Sequence, residues 1–192
     1  MTDYKNITKF LFESGQLERV PRSGFTLIGI KNTKSVAEHQ ATTALISYIL
    51  AKLEKADPEI CLITSLIHDL PETRLNDLHK VGHRYIDFRK AEFEALTEQI
   101  QNLPKEISEE IKKLFYSYRK DQTKEGIIVR DADLLENALE AKRYLDQGHK
   151  HAQNWLDNIR KALKTESAKK ILKEIELQDP NEWWQGLKRA ER

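Results

Sequence analysis

The stretch Asp57-Pro58-Glu59-Ile60-Cys61-Leu62-Ile63-Thr64-Ser65-Leu66-Ile67-His68-Asp69-Leu70-Pro71-Glu72 decides the fold. Asp57 suits a helix cap, Pro58 loses nothing at a first helical position, and Glu59 complements the positive helix end. The spacing predicts a helix that carries Ile60, Ile63, Leu66 and Ile67 inward and ends near His68-Asp69. Pro71 disfavours continuation through Leu70, so Glu72 to Lys80 reads as a turn or loop at a helix end that carries polar groups. Such placement is typical of functional sites.

Upstream, Ser35-Val36-Ala37-Glu38 has the form of a capping box, so a second helix should run from about Val36 towards Leu53. Downstream, three-and-four spacing of apolar residues predicts helices at about Phe88 to Gln101, Ile107 to Tyr118, Thr123 to Leu145, Ala152 to Leu163 and Ser167 to Leu177. Asp179-Pro180-Asn181-Glu182 caps a short last helix carrying Trp183 and Trp184, which are expected to pack against the core or a partner subunit. Phe25 to Ile30 is the one candidate for an extended piece. Seven glycines, five prolines and 33% charged residues fit the same picture. The expectation is an all-α, single-domain helical bundle over residues 1–192, with its motifs at about 20–145 and a helical extension at about 150–192.

Lys and Arg total 32 against 31 Asp and Glu. A chain so nearly neutral has no net field for a polyanion, so stable nucleic-acid binding is not expected. No apolar run approaches membrane-spanning length, and the N-terminal residues lack the pattern of a leader peptide, so no membrane association is expected. Cys61, the single cysteine, sits in an apolar run, reads as a core residue and can form no internal disulfide. A reducing compartment, the cytoplasm, is the natural location.

A lone His-Asp pair means little, but here it has context. His39 lies in the first turns of one helix, His68 and Asp69 close the next, and Val129-Arg130-Asp131-Ala132-Asp133-Leu134-Leu135 puts two aspartates on a third. Three helices of a bundle can aim such groups at one point. Asp131 and Asp133 point to different helix faces, and either could be the third helix's contribution. Two imidazoles and two carboxylates suit one divalent ion of Mn, Co, Fe, Ni or Zn better than Ca. Four protein ligands around a six-coordinate ion leave two positions for water and a phosphoryl oxygen. His79 and His83 stand four apart, but not on a secure helix, and do not make a second metal site.

The segments SVAEH (35–39), LIHDLPE (66–72) and VRDADLLE (129–136) resemble the H…HD…D signature of the HD superfamily, and more closely its 5'-deoxynucleotidase-like branch. The similarity covers about Val20 to Tyr144. It implies an all-α fold, commonly a homodimer, that hydrolyses nucleoside 5'-monophosphates. It assigns metal binding to His39, His68, Asp69 and Asp133, with the Ala-Asp pair favouring Asp133 over Asp131. It assigns phosphate orientation to Arg22 in VPRSGF, and water activation or proton transfer to Glu72 and Asp77. The loop Asp77-Leu78-His79-Lys80 corresponds to a substrate-contacting segment. Close relatives carry a Trp shortly after the Arg; here the nearest aromatic is Phe25, which implies a less complete wall against a ribose 2'-hydroxyl. A related enzyme acting on guanosine tetraphosphate or a cyclic nucleotide, and a non-catalytic helical adaptor, are the alternative readings.

Overall fold

A computed structural model of the chain describes residues 3–120 and 123–187. The ends of the expected domain, 1–2 and 188–192, lie outside the described residues. Helix α1 (Tyr4–Ser14) was not foreseen from the sequence; the Asp3 carboxylate caps it by accepting from the Lys5 and Asn6 amides. Gly15–Arg19 and Gly24–Ile28 are single 3-10 turns. The second replaces the extended piece expected at Phe25 to Ile30. The Thr26 amide and hydroxyl both donate to the Ser23 carbonyl, and Gly29, at φ 87°, ends the turn in the left-handed region that glycine tolerates. Local turn chemistry outweighs the apolar run. Among the described residues the only β-type pairing is the antiparallel bridge Pro21–Ser35.

Helix α2 (Val36–Glu54) starts with the predicted capping box: the Ser35 hydroxyl accepts from the Glu38 amide, and the Glu38 carboxylate accepts from the Ser35 amide at 2.7 Å. Helix α3 (Pro58–Ile67) has Asp57 as its cap and Pro58 in its first turn. Its inward face is only partly the predicted one: Ile67 is buried as expected, and the other three are not. Ile60, Ile63 and Leu66 are 37%, 36% and 52% exposed, while Cys61, Thr64, Ser65 and Ile67 are buried. The reason is geometric: His68 is buried, and the residues three, four and seven positions before it, Ser65, Thr64 and Cys61, share its helix face. The small Ser47 and Ser65 hydroxyls meet at 2.6 Å between α2 and α3, so the two helices lie close.

Helix α4 (Glu72–Leu75) occupies the start of the predicted loop, because Pro71 precedes the turn and clashes with nothing; residues 76–80 are irregular. Then come α5 (Phe88–Ile100), α6 (Lys105–Arg119), α7 (Lys124–Asp146), α8 (Gln153–Ala162) and α9 (Glu166–Leu177), within two residues of the predicted bounds. Helix α7 runs through the middle, packed by α2, α3, α6, α8 and α9. Gly126 lets α6 approach it, since a β-carbon there would meet the Ser117 carbonyl oxygen at 2.7 Å. One apolar core gathers Leu50, Ile128, Val129, Leu135 and Leu156 around α7, and another joins Leu17, Val36, Leu96 and Phe115. Trp183 and Trp184, expected to pack, are 75% and 53% exposed in the single chain, so neither is anchored in its core. No described helix is long and apolar enough to cross a membrane.

Candidate metal centre

The HD pair sits where α3 stops. His68 is the residue after the last helical position, and Leu70, Glu72 and Thr73 continue in tight turns, so His68 and Asp69 face back between the helices. His39 enters from the second turn of α2. His39, His68 and Asp69 are all buried and offer atoms within 4.8 Å of one another. His68 Nε2 lies 3.1 Å and His39 Nε2 3.7 Å from Asp69 Oδ2.

The rings are oriented from behind. His39 Nδ1 meets Glu136 Oε2 at 2.5 Å, and His68 Nδ1 meets the Ser65 carbonyl oxygen at 2.6 Å. A carbonyl only accepts, so His68 Nδ1 carries the hydrogen, and the Glu136 carboxylate asks the same of His39. That leaves both Nε2 atoms inward, and both are buried without a hydrogen-bond partner. Two orphaned imidazole nitrogens against a carboxylate fit a divalent cation, whose imidazole ligands are supported in this way. In the metal-free protein, burial and the Arg22 charge push the His39 pKa down, but contacts with Asp133 and Glu136 outweigh them and raise it to about 9.

Asp133 stands at the edge of this cluster, with Oδ1 3.3 Å from His39 Nε2. Its other oxygen accepts from the Tyr118 hydroxyl at 3.2 Å, and Asn137 Nδ2 donates to Oδ1 at 3.1 Å. Its competitor Asp131 points the other way. Fully buried, Asp131 accepts from the Lys164 amide at 3.0 Å and from the Thr165 amide and hydroxyl at 2.7 Å each, closing the turn between α8 and α9.

Charged groups surround the cluster. Arg22 Nη1 lies 3.4 Å from Asp69 Oδ2 and 3.8 Å from Asp77 Oδ1. Burial opposes the Arg22 charge, but Asp77, Asp69 and Glu72 hold it on. The Arg22 loop is pinned by its own backbone: the Arg22 amide donates to the Lys34 carbonyl at 2.9 Å, and the Ser23 amide donates to Asp77 Oδ2 at 2.5 Å. Behind Asp69, Arg119 donates to the His68 carbonyl at 3.2 Å and pairs with Glu92, whose carboxyl burial pushes up to about 7. Burial also pushes the Glu72 carboxyl well above its usual range, helped by the negative charges of Asp69 and Asp77. Glu72 Oε2 is buried without a partner.

Not every predicted contact residue reaches the cluster. His79 Nδ1 accepts from the Gly82 amide at 3.2 Å, and the Leu78 side chain fills the space beside Gly82, so both shape their own turn. Lys80 is exposed. Phe25 is a core residue, stacked on Trp155 at 4.8 Å and edge-on to Tyr144 at 4.9 Å. It nonetheless helps line a narrow cavity of about 10 Å³ with Arg22, Lys34, Glu136 and Asn137. Sequence reading missed Glu136, Asn137, Tyr118 and Arg119. The signal for two of them was present: Asp133, Glu136, Asn137 and Glu140 form a polar stripe at three-and-four spacing in the middle of α7.

An all-helical bundle whose chain turns at an His-Asp pair, with a second histidine and an aspartate converging on it, defines a class of metal-site helical proteins. A family model for the HD domain matches residues 14–176, and the chain belongs to that family. It is 27% identical over 147 residues to the human (Homo sapiens) 5'-deoxynucleotidase HDDC2, covering 76% of this chain and 72% of that protein. The 5'-deoxynucleotidase hdd1 of Schizosaccharomyces pombe is 30% identical over 138 residues, 68% of each chain. Among solved structures, a conserved hypothetical protein from Pyrococcus furiosus superposes with a TM-score of 0.75 at 28% identity, over 89% of this chain and 99% of that one.

Proposed function

We propose that this protein is a metal-dependent phosphomonoesterase that removes the 5'-phosphate from nucleoside and deoxynucleoside monophosphates. The observation that carries the reading is the pair of buried, unpartnered Nε2 atoms of His39 and His68 beside Asp69 and Asp133, with the Arg22 guanidinium on the same cluster. Relatives that align over most of the chain carry the name 5'-deoxynucleotidase. In this reading His39, His68, Asp69 and Asp133 hold one divalent ion per chain, which supplies Lewis acidity towards water and neutralises phosphate charge. Arg22 offers its planar fork to phosphate oxygens once Asp69 is engaged by the ion. Glu72, buried beside Asp69 and Asp77 with a free oxygen, orients the attacking water and takes or returns a proton. Asp77 holds the Arg22 loop through the Ser23 amide and shares the proton-transfer role. Phe25, which lines the cavity beside Arg22, bounds the substrate side.

The partner of the folded chain is a second copy of itself. Leu45, Ile49 and Leu53 recur at four-residue spacing along α2, and Ile60, Ile63 and Leu66 at three-residue spacing along α3, so each helix carries an exposed apolar stripe. An apolar face of that extent marks an interface. Light scattering on the parent and on Ile49→Glu/Ile63→Glu tests it: a dimer that the double variant splits is expected, and a monomeric parent rejects it. The buried free thiol of Cys61 suits a reducing compartment such as the cytoplasm.

Activity is tested by screening deoxy- and ribonucleoside monophosphates, cyclic nucleotides and guanosine tetraphosphate with added Mn, Co or Zn. Turnover of the monophosphates is expected. Activity confined to the other two classes refutes the reading, and a protein that neither binds nor is stabilised by any of these ions is the helical adaptor instead.

A further inference from the structure

The two imidazoles of the cluster are supported differently. Behind His68 is a neutral backbone carbonyl, which no substitution removes. Behind His39 is Glu136, a carboxylate 2% exposed, whose Oε2 meets Nδ1 at 2.5 Å. The other Glu136 oxygen is held by the Lys34 ammonium, which also lies 3.1 Å from Glu140 Oε1. Glu136 thus has its two oxygens divided between a part-buried ammonium and an imidazole inside. A pairing needed only to neutralise Lys34 would not require a buried histidine as second partner.

We propose that Glu136 is the positioning residue of His39: it fixes the Nδ1–H tautomer and the ring orientation, and so delivers Nε2 to the metal as the more basic of the two imidazole ligands. The inference rests on the metal reading given above. A carboxylate behind a ligating imidazole orients it and strengthens its donation, and loss of such support typically weakens metal binding by about 10–100-fold. Placement on α7 makes this support rigid, because Glu136 stands one turn after Asp133 on the same helix face. One helix therefore supplies a carboxylate for the cluster directly and another through His39.

The test uses the full-length protein and Co²⁺, whose visible absorption reports its ligand set, with affinity measured by calorimetry. Glu136→Ala should bind Co²⁺ about 10–100-fold more weakly, with an altered spectrum. Glu136→Gln keeps the volume and an accepting oxygen but loses the charge, so it should fall between parent and Glu136→Ala. Lys34→Met removes the part-buried ion pair and leaves the Nδ1 contact, so its Co²⁺ affinity should fall less than that of Glu136→Ala, with the cost of the unpaired carboxylate appearing in the Tm of the metal-free protein. A purely structural role would instead lower the Tm of the metal-free protein in all three variants and leave affinity and spectrum alone. Parent-like Co²⁺ binding by both Glu136 variants overturns the proposal. So does equal weakening by Lys34→Met and Glu136→Ala, which would make the ion pair the operative unit. A parent that binds no Co²⁺ fails the metal reading itself and is told apart by that control.

Discussion

Asp131 and Asp133 stand two residues apart on α7 and do opposite things. The Asp131 carboxylate accepts two amides and a hydroxyl from the turn between α8 and α9, so its hydrogen bonding is complete within the chain. Asp133 faces a cluster in which two imidazole nitrogens and a Glu72 oxygen are buried without partners. Buried polar groups are paired almost everywhere in proteins, so a group of orphans at one point calls for a missing partner. The contrast separates a carboxylate that holds the fold from one at the edge of a candidate metal cluster, although a sequence shows both only as Asp in the run Arg130-Asp131-Ala132-Asp133.

The largest effect should come from breaking the incomplete side of this comparison. His68→Ala, Asp69→Ala and Asp133→Asn are each expected to leave the protein without bound metal after dialysis and to reduce hydrolysis to background, since each removes one of the four proposed ligands. Metal content by atomic spectroscopy checks this. Full metal content in Asp133→Asn together with loss in Asp131→Asn would exchange the two roles.

Next in size is Glu72, which belongs to the incomplete side without being assigned as a ligand. Glu72→Ala is expected to keep the ion and lower kcat by about 10², the usual contribution of a positioned acid or base. Parallel metal analysis and kinetics decide the matter, because metal loss in this variant would move Glu72 into the ligand set.

How far the sequence reached follows the same division. Helix positions and caps were legible because Ser35, Glu38, Asp57 and Pro58 act through neighbours a few residues away. The convergence of His39, His68 and Asp69 on one point was legible because motif and helix ends coincide. The inward face of α3 was not: hydrophobicity alone chose Ile60, Ile63 and Leu66, whereas the buried His68 dictates the rotation of the helix. Asp131's partners lie 33 and 34 residues away and Glu136's partner His39 lies 97 away, so no local pattern could reveal them. Phe25 shows the same limit, because its stacking partner Trp155 belongs to α8.

Breaking the complete side should cost stability and leave the metal alone. Asp131→Asn puts an amide group where the carboxylate accepts three hydrogen bonds, so at least one buried donor loses its acceptor. A loss of about 1–3 kcal/mol is expected, the cost of one such unmet group. Chemical denaturation reads the loss, and Co²⁺ titration should match the parent. A parent-like midpoint would mean that the turn between α8 and α9 closes without this carboxylate.

The smallest effect concerns the sugar, at the border between the two kinds of site. Phe25 is packed like a structural residue, against Trp155 and Tyr144, yet one edge of it lines the narrow cavity beside Arg22 and Asn137. Held in that stack, the ring cannot swing to close on a 2'-hydroxyl, and it is smaller than a Trp would be in its place. Exclusion of one hydroxyl by an apolar wall yields only about a hundredfold even when the fit is good. The expectation is therefore hydrolysis of both dAMP and AMP, with a deoxy preference of about tenfold or less, or about 1.4 kcal/mol. Phe25→Trp should raise the preference towards that hundredfold limit, with a lowered Tm from overpacking of the stack with Trp155. The measurement is kcat/KM for matched deoxy- and ribonucleoside monophosphates in both proteins, with Tm alongside. If the parent already rejects ribonucleotides by several hundredfold, polar contacts and not the Phe25 edge set the sugar preference, because a site that leaves a polar group unpaired can discriminate far more strongly than a wall can.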